Sequence, residues 1–273
     1  MSKKKPDYRI EDGKIVVANT FIRAVHPEHM GLSAMKLFRL TIMQCKMNDK
    51  EFFEVEYKLH DIARLFHTQP QHIYRDVVTA SKKMMQSLLT VTDSKGKVIK
   101  IYTIFRKWEY FEETATIKVR LNEDVAPLFL QLRKNFTRIP IAAVLSMRSK
   151  YGIRLFEAIH EKMLSVYPYA SNAVEVSFTL EELRRITSTE NQKTYDKISN
   201  IKDKILKPAI ADIEEYGEWK IITKDLKQGR QITGFAFQIW SRNGYEYIED
   251  CKAKGIIPEQ IPGQMSIYDY LPG

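Results

Sequence analysis

The chain has 273 residues, 44% of them apolar, which is length and apolar content for two domains that each bury a core. Lys and Arg outnumber Asp and Glu 43 to 34, for a formal charge of +9; such an excess fits a polyanionic partner, nucleic acid being the commonest, although a protein can be basic without one. Two cysteines in unlike surroundings, Cys45 and Cys251, argue against a disulfide framework or zinc site, and no apolar run approaches the roughly 20 residues of a membrane span. The basic start Met1-Ser2-Lys3-Lys4-Lys5 leads into no signal-peptide core, so a cytoplasmic protein is expected.

In chain order, residues 1–30 read as an N-terminal arm with a short apolar strand at Lys14–Ala18 and then His26-Pro27. Leu32 to about Met47 predicts a helix with a broad apolar face, Phe52–Tyr57 a strand, and Leu59–Phe66 a short amphipathic helix. Thr68-Gln69-Pro70 predicts a turn, because the fixed proline φ opposes continuation of the preceding helix. A longer helix follows from Gln71 to Leu88. Asp93–Lys97 is a polar turn between Leu88–Thr92 and the run Val98–Phe105, and Ala115–Leu121 returns as a further strand. Glu123 to Lys134 predicts a linking helix.

From Arg138 the pattern starts again. A helix is predicted from Ala142 to about Leu164, a strand at Glu175–Phe178, a short helix at Leu180–Ile186 and a turn at Thr187–Asn191. A long helix runs from Gln192 to Tyr216, kinked at Pro208, and a hairpin from Trp219 to Trp240 turns at Lys227-Gln228-Gly229-Arg230. Beyond Arg242 the pattern weakens.

The second half repeats the first. Val55, Tyr57, Leu59, Ile62 and Leu65 recur 121 residues later (55 to 176) as Val176, Phe178, Leu180, Leu183 and Ile186. The same offset pairs Tyr74 with Tyr195, Val77 with Ile198 and Met84 with Ile205, while Lys36-Leu37-Phe38 matches Arg154-Leu155-Phe156 at 118. A period this long marks two copies of a domain, since solenoid repeats are about 20 to 50 residues. Helix, strand, helix, turn, helix and hairpin is the order of a winged helix. The expected fold class is α+β: two tandem winged-helix domains related by internal duplication, with a flexible C-terminal tail. The expected divisions are an arm at 1–30, a first winged helix at 31–122 for dimerisation and DNA contact, a linking helix at 123–137, a second winged helix at 138–242 as the main DNA reader, and a tail at 243–273.

In each copy the helix after the turn is the candidate recognition helix. Helical spacing assigns Tyr74, Val77, Ala80, Met84 and Leu88 to the first core and leaves Gln71, His72, Arg75, Thr79, Lys82 and Lys83 outside. In the second, Tyr195, Ile198, Ile201, Ile205 and Ala209 form the core stripe and Lys193, Lys197, Asn200 and Lys204 lie outside. Arg and Lys can donate to guanine, and Asn and Gln can pair with adenine, so such faces suit the major groove. Any solvated helix face carries lysines, however, and it is the double occurrence of one element order that favours DNA. The turns at Lys95 and Lys97 and at Lys227 and Arg230 carry cations for flanking phosphates.

Catalytic patterns are weak. There is no G-x-x-x-x-G-K-[ST] run, and no Ser/His/Asp arrangement follows from spacing. His26-Pro27-Glu28-His29 is the only close histidine pair, and it lacks the intervening apolar residue of a nickase metal site. No cofactor and no enzymatic activity are expected. A nicking enzyme would be contradicted if supercoiled DNA stayed intact with a divalent metal.

Arg138-Ile139-Pro140-Ile141-Ala142-Ala143-Val144-Leu145-Ser146, followed by Arg148-Ser149-Lys150-Tyr151-Gly152-Ile153-Arg154-Leu155-Phe156-Glu157, resembles the initiator replication proteins of iteron plasmids. So do Ile205–Ile213, Lys227–Ile232 with Phe235-Ala236-Phe237, and the opening Val16-Val17-Ala18-Asn19; the resemblance spans about residues 14–240. It implies two winged helices that bind direct repeats at a replication origin, a dimer through the first domain that represses its own gene, and recruitment of the host initiator, helicase and polymerase. By position it adds Lys202, beside Lys204, to the iteron-reading helix, although the stripe leaves Lys202 next to the core face. Gln264-Met265-Ser266-Ile267-Tyr268 resembles the bacterial sliding-clamp-binding peptide, with Gln264 for hydrogen bonds and Met265, Ile267 and Tyr268 as apolar anchors; the alternative is a tail docked on its own domain. A tandem winged-helix transcriptional regulator without a replication role remains the alternative reading of the whole chain.

Overall fold

A computed structural model describes residues 3–4, 6–11, 13–28, 30–46, 48–78, 84–93, 97–163 and 173–253. The N-terminal half begins with β1 (Lys3–Lys4), β2 (Lys14–Ala18), α1 (Asn19–Arg23) and α2 (Leu32–Met43). Next come β3 (Glu54–Lys58), α3 (Leu59–Leu65) and α4 (Pro70–Ile73), which continues as a π-helical turn over Tyr74–Val78. β4 (Leu88–Thr92) and β5 (Val98–Thr103) form one hairpin. β6 (Phe105–Phe111) and β7 (Thr116–Leu121) form another, and β7 also pairs with β3.

The C-terminal half repeats this order with β8 (Phe136–Pro140), α5 (Ile141–Ser146), α6 (Lys150–Met163), β9 (Val174–Thr179) and α7 (Leu180–Thr187). Its recognition helix is α8 (Ile198–Ile201), a π turn (Lys202–Leu206) and α9 (Lys207–Tyr216). The hairpin of β10 (Trp219–Gln228) and β11 (Gln231–Ser241) pairs with β9, and α10 (Arg242–Ala253) follows.

The duplication reaches further back than the sequence showed. β2 and β8 begin 122 residues apart (14 and 136), and each runs straight into a short helix, α1 or α5. They pair antiparallel with Val16 opposite Arg138, positions that are themselves 122 apart, so a pseudo-twofold axis passes through the ribbon. Packing around the axis is reciprocal: α1 lies on α6, and α5 lies on α2. Lys14–Ala18, expected within an arm, is therefore the strand that ties the copies together. One apolar core runs through both, from Phe21, Phe38 and Phe129 to Ile153, Ile205 and Phe237.

At the centre of that core lies a cluster of buried charge. Arg39 of α2 donates from Nε and Nη2 to the two carboxylate oxygens of Glu157 on α6, at 2.8 and 2.9 Å. Arg154 donates to the same carboxylate at 2.8 Å, and its other N–H groups reach the carbonyls of Ile186, Ile22 and Ala24. All three side chains are at most 2% exposed. Burial pushes the Glu157 pKa up, but the two guanidiniums outweigh it and hold the carboxyl below its usual range. His26 stands beside Arg39 with Nε2 3.0 Å from the Phe21 carbonyl; burial, with Arg154 and Arg39 adding to it, holds the ring neutral.

Several expected elements differ. The linking helix over 123–137 is instead a 3₁₀ stretch, Glu123–Leu128, interrupted by Pro127, and then the start of β8. The helix expected from Ala142 to Leu164 is broken at Met147, which is extended (φ −56, ψ 145). Asp212 of α9 makes that break: its Oδ2 accepts from the backbone N–H of Arg148 at 2.9 Å and Ser149 at 2.6 Å. A Cβ on Gly152 would meet the same oxygen at 2.8 Å, so only glycine fits there. β6 was not foreseen, because its alternation is blurred by five aromatic and charged neighbours, Arg106 to Tyr110. Residues 242–253 are helical although the sequence pattern weakens there.

The recognition helices also differ from expectation. In the first, Ile73 is buried, whereas Tyr74 and Leu88, expected in the core, are 43% and 47% exposed; Leu88 opens β4 and lies beyond the helix. Met84 is buried as expected, while Ala80 lies outside the described residues. In the second, Tyr195, Ile201, Ile205 and Ala209 are buried and Ile198 is half-buried, as the stripe predicts. That helix starts only at Ile198, because Lys193–Asp196 is a 3₁₀ turn and Lys197 is extended. Pro208 lacks the N–H an α-turn would use, and the wider π turn in front of it spans the gap.

Glu157→Gln leaves two buried guanidiniums without a full counter-charge, so unfolding in urea should show a loss of about 3–5 kcal/mol. Arg39→Met combined with Glu157→Met should cost less than the sum of the single changes.

Candidate nucleic-acid interface

The second copy holds its recognition surface rigidly. Tyr195 anchors the turn before α8: its hydroxyl bonds the Tyr151 hydroxyl at 2.9 Å, and its carbonyl accepts from Arg184 at 2.8 Å. On the other side, Thr179 and Glu182 form a reciprocal capping box at the start of α7. Lys193, Lys197 and Lys204 project from this framework, exposed and, among the described residues, without an ion pair.

Two expected readers are otherwise engaged. Asn200 donates from its amide to the Thr194 carbonyl at 2.6 Å, so its donor side braces the turn and its oxygen alone stays open. Lys202 is half-buried, with its ammonium 2.8 Å from Asp225 of β10 and 5.8 Å from the Phe235 ring centre. Its role in this geometry is to lock the hairpin against the helix.

That hairpin is long. A register shift between Leu226 and Lys227 bends it near the tip, and Gly229 (φ +60) makes the turn in open space. Lys227 and Arg230 are exposed there. Lys207, three residues after Lys204, and Lys224 on β10 are exposed cations that helical and strand spacing could have identified and that were not singled out.

In the first copy, Pro70 opens α4 at its N-terminus, where a missing N–H costs nothing. Gln71, His72 and Arg75 are exposed on this short helix. Arg75 Nε is 3.0 Å from Asp76, which also accepts from Ser33 of α2, so the helix is tied to the core element behind it. Lys97 is exposed, and its backbone N–H is fixed by Asp93 at 2.9 Å. Thr79, Lys82, Lys83, Lys95 and the clamp-like peptide Gln264, Met265, Ser266, Ile267 and Tyr268 lie outside the described residues.

Among the described residues no group of three or more His, Cys, Asp and Glu is placed to hold a metal ion, and no helix is long and apolar enough to cross a membrane. His26 is committed to the core described above, and His160 lies between the Phe156 and Trp219 rings, its pKa pushed down to about 3 by burial.

Two exposed helices after a turn, the second basic, each beside a hairpin on a duplicated α+β framework, define a tandem winged-helix DNA-binding protein. The family model described as "Initiator Replication protein, WH1" matches residues 14–160, from β2 through most of α6, and "Initiator Rep protein, WH2" matches 179–239. The chain belongs to this initiator replication protein family. A curated relative, the "Probable replication protein rep" of Bifidobacterium longum (strain NCC 2705), is 23% identical over 207 residues; the match covers 75% of this chain and 66% of the relative, so the chain spans about two thirds of that protein's length. The crystal structure of the Pi initiator protein in complex with iteron DNA shares the fold, with a TM-score of 0.66 at 16% identity over 84% of this chain and 97% of that one.

Lys204→Ala should cost about 1–3 kcal/mol of affinity for the cognate duplex and less for a shuffled one. Asp225→Asn should weaken binding about as much as Lys202→Ala, with no further loss in the double variant, since both release the same strut.

Proposed function

We propose that the protein initiates plasmid replication by binding direct repeats at an origin, working through binding energy and DNA distortion rather than catalysis. The observation that carries this reading is the second recognition helix and the turn before it, with Lys193, Lys197 and Lys204 exposed and, among the described residues, without an ion pair, beside a braced basic hairpin, in a chain whose family is that of initiators. The similar Pi structure holds iteron DNA, which supports the same class of target here. The first helix, with Gln71, His72 and Arg75, makes the auxiliary contact. Host initiator and helicase are the partners that this role requires. Binding of Gln264–Tyr268 to a sliding clamp belongs to the same proposal and rests on the sequence alone.

Binding to a duplex with direct repeats from its own replicon, against a shuffled duplex at about 150 mM salt, tests the assignment. A preference of at least about a thousandfold is expected. Equal, weak, salt-sensitive binding to both would remove it. A preference for a single operator, with no support of replication in cells, would favour the transcriptional regulator.

Dimerisation through the first copy, with repression of its own gene, is supported by β5. Among the described residues this strand pairs with β4 alone, leaving one edge open, and Val98, Ile99 and Ile101 are 51%, 57% and 58% exposed. An apolar, unpaired edge is a template for a second strand. Ile99→Lys should shift the protein to monomers in sedimentation while leaving single-repeat binding in place; an unchanged dimer would put the contact elsewhere.

A further inference from the structure

The two copies part company at one equivalent position. Arg154 of α6 is fully occupied, by three backbone carbonyls and by Glu157, its i+3 neighbour. Its counterpart in α2 is Lys36, whose i+3 neighbour is Arg39, a cation. Lys36 is only 4% exposed, yet among the described residues its ammonium makes no hydrogen bond and no ion pair. Its contact is the Phe66 ring, 5.5 Å away. Burial pushes its pKa down to about 8, against a smaller opposing pull from Asp212, whose Oδ2 is already bound by two backbone N–H groups. The stem is buried, while the ammonium keeps solvent contact at the mouth of a cleft and, among the described residues, has no ion-pair partner.

Lys36 lines a cleft of about 620 Å³ that runs between α4 and the α5–α6 turn. That size is within the roughly 300–1,000 Å³ of small-molecule sites. In the second copy Arg154 reaches the carbonyls of Ile22 and Ala24, whose counterparts are Val144 and Ser146; in the first copy the shorter lysine leaves the equivalent space open. Arg75 stands on one rim and Arg148 on the other. Each largely exposed arginine spends a nitrogen on a partly exposed carboxylate that also lines the cleft, Asp76 at 3.0 Å and Glu215 at 2.8 Å. Exposed pairs of this kind are weak and leave further N–H groups free to turn to a ligand. Phe66 and Tyr216 add aromatic wall.

We propose that this cleft binds a small phosphate-bearing ligand of the nucleotide class, with Lys36 as its buried anchor and Arg75 and Arg148 gripping it from the two copies. Three cationic donors suit a multiply charged phosphate, and the remaining volume accommodates a base or sugar against the aromatic wall. The recess of Lys36 favours a small ligand over the backbone of a rod-like duplex. Such a ligand would span α2, α4 and the α5–α6 turn and so bridge the two winged helices.

Calorimetric titration of the full chain with ATP, pyrophosphate and inorganic phosphate tests this. Saturable binding of ATP at one site per chain is expected. Lys36→Met should weaken it at least about tenfold, or 1.4 kcal/mol, while leaving affinity for direct-repeat DNA unchanged and the melting temperature no lower, because the apolar stem packing is kept and no hydrogen bond or ion pair is lost. Arg148→Ala, at the exposed rim, should weaken ATP by several-fold and serves if Lys36→Met does not fold. Lys204→Ala should leave ATP binding as it was. The proposal is overturned by absence of saturable binding for all three probes. It is equally overturned if binding survives Lys36→Met but is lost in Lys204→Ala, which would put the nucleotide on the DNA face. Equal losses of ATP and DNA affinity in Lys36→Met would make Lys36 a backbone contact and also overturn it.

Discussion

The bidentate pair between Arg39 and Glu157 fixes how the two halves of the chain sit on one another. Each guanidinium or carboxylate alone would be intolerable at less than 1% exposure, so the pair holds only when α2 and α6 are in register. That register sets the antiparallel ribbon of β2 and β8, the reciprocal seating of α1 and α5, and through them the relative placement of the two recognition helices. Hydrophobic contacts supply most of the stabilisation in such a core but are tolerant of sliding. The ion cluster is not, because a shift of one helical residue would leave three charges buried and unmatched.

Within the second copy, bracing contacts are concentrated where DNA would be met. Tyr195, Asn200 and Lys202 spend their polar atoms on Tyr151, the Thr194 carbonyl and Asp225, and none of these bonds reaches outward. Their neighbours Lys193, Lys197 and Lys204 are, among the described residues, unpaired cations on that frame. This division of labour, one set of polar groups bracing and another presented, lets a basic surface discriminate rather than merely attract.

Much of this was legible in the chain and some was not, for identifiable reasons. The duplicated strand-helix-turn-helix segment could be read because alternation and 3.6-residue spacing survive in both copies, and Ile201, Ile205 and Ala209 fall in the core as that spacing requires. In the first recognition helix the core side is off by one residue at its start, Ile73 inward and Tyr74 outward, and Leu88, counted at its end, belongs to β4. The break at Met147 is imposed by Asp212, some sixty residues away, on a stretch whose local preference is helical. The family resemblance alone makes Lys202 a DNA contact, against a spacing that sets it beside the core face; its partner, Asp225, becomes its neighbour only when the hairpin folds back. Misreadings of the site thus come from long-range polar contacts, while apolar periodicity carried the fold.

The position of the Arg39–Glu157 pair bears on ancestry. An antiparallel ribbon across an axis, with reciprocal helix packing, has the form of an isologous dimer interface, in which each patch meets its own copy. Arg39 and Glu157 occupy the same place in the two repeats and face each other. In a symmetric dimer of identical chains that place would confront arginine with arginine or glutamate with glutamate, at the core of the interface. Opposite charges there require two copies free to differ. The central ion pair therefore breaks the symmetry of the repeat at its axis: neither half, paired with itself, could rebuild that core.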